Sequence, residues 1–148
     1  MAKKLKDDRQ IWVEHIKKAS NYSMGSLDVY DDCYGISYIV SGDRAFSTPD
    51  YTYHVHGGHI GITGKGVYHR TFSLSGTPYE RYGIRFSDEV IAPLLKVIGK
   101  EDFEQFMSCA CYHIPEDQAP EIIRLYEAML QEYDHYTKVS SLLISGML

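Results

Sequence analysis

The chain has 148 residues, 44% of them hydrophobic, and a formal net charge of -5. That length supports one domain around one core. The acidic balance, with no basic run beyond "KKLK" near the N-terminus, excludes nucleic-acid binding by this region itself, because a phosphate backbone selects a basic face.

No apolar run approaches the roughly 20 residues that span a bilayer, and no signal-peptide pattern opens the chain. Cys33, Cys109 and Cys111 are too irregular a set for a disulfide framework. The Cys-x-Cys pair reads as two small buried side chains. A cytoplasmic protein with no membrane partner is therefore expected.

In chain order, residues 1–27 read as an N-terminal arm or short helix, with Trp12, Ile16 and Ala19 at helical spacing. From Tyr34 to Phe86, short runs rich in Tyr, Ile, Val, Phe and Thr alternate with turn signals: "YGISYIV" with "SGD", "RAFST" with "PD", "YTYHVH" with "GG", "GHIGI" with "TGKG", "VYHRTFSL" with "SGTP", then "YERYGIRF". Strands at such regular intervals predict an antiparallel sandwich or barrel over residues 28–86, and barrel closure removes exposed strand edges. Thirteen tyrosines against one tryptophan suit half-buried strands.

After Phe86 the period changes. "SDEVIAPLLKVIG" has acidic residues in its first turn and Gly99 to stop it, with Pro93 inside as a kink or restart point. "EDFEQFM" is a second helical piece. "APEIIRLYEAMLQEYD" starts on Pro120 and aligns Ile122, Tyr126, Met129 and Tyr133 on one stripe. "YTKVSSLLISGML" places Val139, Leu142, Leu143 and Met147 together. These helices of residues 87–148 either cover the barrel or pair two subunits, and the pattern does not separate the two. For subunit pairing the candidates are Tyr126, Met129, Tyr133, Leu142 and Leu143. The apolar end at "SSLLISGML" is expected to continue into a longer protein.

Four of the seven histidines fall between Tyr51 and Arg70, in "YTYHVHGGHIGITGKGVYHR". On a strand His54 and His56 share a face and Val55 points the other way. With Val55, Ile60 and Ile62 filling the barrel, the two histidines face solvent. Gly58, Gly66 and His69 fall in register with the second signature of the cupin barrel family, which this stretch resembles, with Gly64 where a proline is usual. The first signature ends on Gly42. Its glutamate position holds Gly35, and its paired histidines fall on Val29 and Asp31, or on Asp28 and Tyr30. His69 alone matches the metal ligands of that family, too few for a catalytic metal. No metal and no cofactor is expected.

A cupin-like jelly-roll barrel followed by amphipathic helices, with "CYGISYIVSGD", "GGHIGITGKGVYHR" and "PYERYGIRFS" in that order, resembles the N-terminal sensing region of AraC-type transcription regulators. The resemblance implies a non-enzymatic region that binds a small polar effector in the barrel and forms a homodimer through its helices. DNA would be contacted only by a further domain beyond Leu148. The competing class is a metal-dependent cupin enzyme, a sugar isomerase or dioxygenase, which the missing ligands oppose.

Alternation places Thr71 and Ser73 on the face of His69, and Ser37 and Ile39 on that of Asp31, Cys33 and Gly35. In "YERYGIRF", Arg81, Gly83 and Arg85 share one face and Tyr82, Ile84 and Phe86 the other. The family resemblance turns the arginines inward, whereas alternation leaves the choice open. The candidate effector-binding set is Asp31, Tyr34, Ser37, His69, Thr71, Arg81 and Arg85, with Tyr30 or Tyr38 as further stacking faces. Such residues suit a sugar, sugar acid or small carboxylate.

Overall fold

The computed structural model describes residues 2–3, 9–19, 23–108 and 111–148. Cys109, expected as a small buried side chain, lies outside them. In chain order the strands are β1 (Ala2–Lys3), β2 (Ile11–Lys18), β3 (Val29–Tyr30), β4 (Tyr34–Ser41), β5 (Asp43–Ser47), β6 (Thr52–His56), β7 (His59–Thr63), β8 (Arg70–Ser73) and β9 (Tyr79–Phe86). Then come helices α1 (Asp88–Ile98) and α2 (Lys100–Met107), strand β10 (Cys111–His113), a 3-10 turn (Glu116–Gln118), α3 (Ala119–Asp134) and α4 (Ser140–Met147).

A five-stranded sheet in the order β10-β7-β4-β9-β2 faces a three-stranded sheet in the order β6-β5-β8, and every pairing within the two is antiparallel. β1 and β3 make a short parallel pair. The turn Gly57–Gly58 carries the chain from one sheet to the other. Gly58 takes φ 93° there, and a Cβ on Gly57 would sit 2.7 Å from the Val40 carbonyl oxygen.

The strand ends fall where the turn residues predict, and so do the starts of α1 and α3. Asp88 and Glu89 occupy the first turn of α1, Gly99 closes it at φ 84°, and the helix runs through Pro93. The N-terminal region corrects the helical expectation. Residues 11–18 form an edge strand that pairs with β9 from Ile11↔Phe86 to Lys18↔Tyr79. The reason is a shared period: Trp12 and Ile16 lie on one face whether the chain repeats every 3.6 residues or every two. The barrel therefore draws on residues before 28, and also on β10 from within the region read as helical.

The main core lies outside the barrel. Ile11, Val13, Tyr38, Ile62, Tyr82, Ile84 and Phe86 project from one face of the larger sheet and bury against Val90, Ile91, Phe103, Met107, Tyr126, Met129 and Ile144 of the helices. Ile60 and Ile62 belong to this layer, which corrects the expectation that they fill the barrel. They lie opposite Tyr38 and Ile36 of β4, so all four side chains turn toward the helices. Val55, on the smaller sheet, is buried inside as expected.

The same packing divides the candidate pairing residues. Tyr126 and Met129 are buried against the chain's own sheet, and the Tyr126 hydroxyl donates to the Ile36 carbonyl at 2.9 Å. Tyr133 packs partly buried against this core. Neither Tyr126 nor Met129 is exposed to meet a partner. Leu142 and Leu143 are, at 64% and 49% exposure, with Val139 and Val97 also exposed.

Truncating Met129 or Ile144 to alanine is expected to cost about 2–5 kcal/mol in urea unfolding, because each leaves a cavity in this layer. Leu142→Ala and Leu143→Ala should stay within about 0.5 kcal/mol.

Candidate functional site

With its apolar face turned to the helices, the larger sheet presents small and polar side chains to the barrel interior. β4 contributes Ser37 and Ile39, β7 contributes Gly61 and Thr63, and β9 contributes Tyr79 and Arg81. The smaller sheet closes the space with Arg44, Phe46, Val55 and Thr71, beside His69. Met24 and Tyr30 enter from the segment that precedes β4, and Cys111 from β10. Together they enclose a cavity of about 90 Å³, room for several waters or a small ligand.

Two close approaches explain glycines on the inner face. A Cβ on Gly83 would stand 2.5 Å from Arg81 Nη1, and one on Gly35 would stand 2.8 Å from Tyr30 Cε2. Where the cupin signature has glutamate, this chain has a gap filled by the Tyr30 ring. That ring meets His69 edge-on at 4.8 Å.

The charges are arranged around these rings. Arg81 Nη2 donates to Glu14 Oε1 at 2.6 Å, and Trp12 Nε1 donates to Glu14 Oε2 at 3.0 Å. Burial works against the charged carboxylate, yet the charge and hydrogen bond of Arg81 and the bond from Trp12 outweigh it and hold Glu14 below its ordinary value of 4.5. Arg44 is 1% exposed; its guanidinium lies 4.1 Å over the Tyr79 ring, and its Nη2 donates to Thr71 Oγ1 at 3.1 Å. The wall thus holds two guanidinium groups, Arg81 tied to Glu14 and Arg44 laid on Tyr79, with the side chains of Ser37, Thr63, Thr71 and Tyr30 around them. Burial raises the Cys111 thiol to about 11 and the Cys33 thiol to about 12, so both stay protonated at neutral pH and are poor nucleophiles.

Of the residues expected at the site, Ser37, His69, Thr71 and Arg81 line the cavity, as does Tyr30. Three do not. Asp31 is exposed, because the bend at Asp31–Asp32 interrupts the alternation that β4 would otherwise extend. Tyr34 faces the helices, donating to Asp88 Oδ1 at 2.9 Å with its ring edge-on to Phe103 at 5.2 Å. Arg85 shares the face of Arg81 but lies outside the cavity, its guanidinium 5.1 Å from the Trp12 ring and 5.7 Å from that of Tyr30. Tyr38 belongs to the outer core.

Sequence reasoning missed Arg44, Tyr79, Thr63, Met24 and Cys111. For Arg44 a signal exists: in "DRAFS" it shares a strand face with Phe46. Met24 had none. It is brought in by a strap along β8, where Met24 N–H donates to the Thr71 carbonyl at 3.0 Å and Asp28 exchanges two backbone bonds with His69, each at 2.8 Å.

The lining does not fit the metal centre of a cupin enzyme. His69 supplies its one imidazole, its Nδ1 3.2 Å from the Val67 carbonyl oxygen, and the nearby carboxylate of Glu14 is committed to Arg81.

No family model matches the sequence, and no curated protein sequence matches it. Solved structures do match. Apo ToxT K231A from Vibrio cholerae superposes with a TM-score of 0.63 at 12% identity, over 93% of this chain and 52% of ToxT. The cupin domain of Schizosaccharomyces pombe Cnp3 superposes with a TM-score of 0.52 at 10% identity, over 63% of this chain and 67% of that domain. A predicted oxalate decarboxylase from Thermotoga maritima gives 0.47 at 20% identity, over 51% and 64%. The fold is a cupin barrel with C-terminal helices. This chain spans about half the length of ToxT.

The Arg81–Glu14 pair predicts an acid-sensitive barrel. A carboxylate held below its unfolded value adds stability that is complete above about 4.5 and drains away as pH falls through the folded value. Urea unfolding of the parent and of Glu14→Gln, compared at about pH 7 and pH 3.5, should show the shallower acid loss in the variant.

Proposed function

We propose that this chain is the effector-sensing region of an AraC-type DNA-binding regulator, with the barrel interior as the receptor for a small, polar, anionic molecule. The observation that carries the reading is the cavity wall: Arg44 and Arg81, the latter paired with Glu14 behind it, among the hydroxyl side chains, with one imidazole and one thiol, too few ligands for a catalytic ion. The likeness to ToxT, an AraC-family regulator, supports it because that likeness runs through the helices as well as the barrel. A carboxylate suits the guanidinium donors, and hydroxyl groups suit Ser37, Thr63 and Thr71, so a sugar acid or small hydroxy-acid is the preferred class.

Signalling in this reading is a population shift. An occupant would touch Met24 and Tyr30 ahead of β4 and Cys111 in β10, the strand that leads into α3. Binding would favour one placement of that strap and helix over others, which changes how two regulators present their DNA-binding domains. Subunit pairing would fall to the exposed Leu142 and Leu143, since Tyr126 and Met129 are consumed internally. The competing cupin enzyme would need three or four ligands around a metal, which the lining lacks.

Thermal unfolding with a panel of sugar acids, hydroxy-acids and neutral sugars tests the proposal. A binding acid should raise the melting temperature by mass action, about 2.7 kcal/mol at a hundredfold excess over Kd. Ser37→Leu, which fills the cavity from β4, should abolish the shift. A panel in which neutral sugars outperform their acids would overturn the anionic preference, and catalytic turnover with a bound lumen metal would overturn the sensor.

A further inference from the structure

The histidines that the cavity does not use are not scattered. His56 ends β6, His59 begins β7, and His113 ends β10, directly opposite His59 in the β7–β10 ladder. Their ring centroids are separated by 4.3 Å (His56–His59), 5.1 Å (His59–His113) and 6.1 Å (His56–His113). His54 and His56 face solvent as expected, and the rings of His56, His59 and His113 form one contact cluster joining three strands. His113, far away in sequence, completes it, and its Nε2 would lie 3.5 Å from a Cβ on Gly58 in the intervening turn.

The spacing has chemical meaning. With about 2.0–2.1 Å to each ring nitrogen and tetrahedral angles, imidazole centroids around one zinc ion sit roughly 5 Å apart. A backbone contact also sorts the nitrogens of His56. His56 Nδ1 lies 3.1 Å from the Gly57 carbonyl oxygen, and His59 Nδ1 lies 3.1 Å from that of His56. At His56 a proton on Nδ1 satisfies that carbonyl and leaves the Nε2 lone pair for a metal, the outer arrangement common to metal-binding histidines. His59 Nδ1 also accepts from the His56 backbone N–H at 3.3 Å, so these contacts do not fix its tautomer. His54 differs, because its Nε2 is engaged by Asp43.

We propose that His56, His59 and His113 form a surface site for a divalent ion that prefers imidazole, with Zn²⁺ as the type. As they stand, the donor atoms do not converge: no three His, Cys, Asp or Glu among the described residues are arranged around a common point. Convergence requires ring rotation, which the exposure of His56 and His113 permits. The site lies at the rim of the barrel, not in its lumen. His59 is two residues before Gly61 and His113 two after Cys111, so both strands run from the cluster directly into the cavity wall. A bound ion would tie the β6–β7 turn to β10 at that rim. The inference is independent of the effector proposed for the lumen.

The test is isothermal titration of the full chain with Zn²⁺ alone, in chelator-free buffer near neutral pH, with thermal unfolding in parallel. One ion per chain should bind, and the melting temperature should rise with it. His56→Asn, His59→Asn and His113→Asn should each weaken binding roughly tenfold or more. His15→Asn and His135→Asn, elsewhere on the surface, should leave it unchanged. Absence of saturable binding by the parent would overturn the site. So would three histidine variants within about twofold of the parent, or a loss that follows Cys111→Ser and not the histidine changes. Circular dichroism of each variant separates lost ligation from lost folding.

Discussion

The structure depends on the burial of one sheet face under four helices. Ile11, Val13, Tyr38, Ile62, Ile84 and Phe86 supply the sheet side of that layer, and Phe103, Met107, Tyr126, Met129 and Ile144 the helix side. Because most apolar burial is gathered there, the hydrophobic stabilisation of the fold does not require a filled barrel. The opposite face of the same strands can then carry Gly35, Ser37, Gly61, Thr63, Arg81 and Gly83, a set that would make a poor core. Alternation lets one strand serve both purposes.

That division explains the character of the interior. An arginine rarely sits in a protein interior without compensation. Arg81 is compensated by Glu14, which arrives on β2, and Arg44 lies on the Tyr79 ring beside Thr71. Neighbouring glycines leave room on the same face: Gly83 beside the Arg81 fork, and Gly35 beside the Tyr30 ring. A position that holds a ligating carboxylate in the cupin signature has become room for an aromatic. The wall that results has charge and hydroxyls to orient a ligand, and one thiol, Cys111, that burial keeps protonated.

The rim is held by different means. Strands from both sheets and the short β10 meet around the Gly57–Gly58 turn, where Gly58 N–H donates to the Ile39 carbonyl at 2.9 Å and Ile114 N–H donates to that of Gly58 at 2.8 Å. β10 is only three residues long, and its pairing with β7 connects the barrel to the chain entering α3. A change at the rim or in the lumen therefore has a covalent path to the helical layer.

Much of this was legible in the sequence. Gly, Asp and Pro at the joints set the ends of β4 to β9, and helix-start chemistry set α1 and α3, because those signals are local. Alternation put Arg81 with Gly83 and Arg85, and His69 with Thr71, on common faces. It did not say which face would be covered, since that depends on where the helices land. Ile60 and Ile62 turned out to lie under the helical layer, and Tyr126 to close on Ile36 of its own chain. The period of β2 was ambiguous because its apolar pair satisfies helix and strand alike. Pairing with β9 decided it. Arg44 beside Tyr79, Glu14 on Arg81, and His113 against His59 join residues from distant strands, and no local pattern encodes such meetings. The sequence by itself determined β4 to β9, α1 and α3 and the two faces of each of those strands; the tertiary structure alone decided that residues 11–18 and 111–113 are strands, and which face became the core and which the cavity, because burial is a property of what packs against a face and not of the face itself.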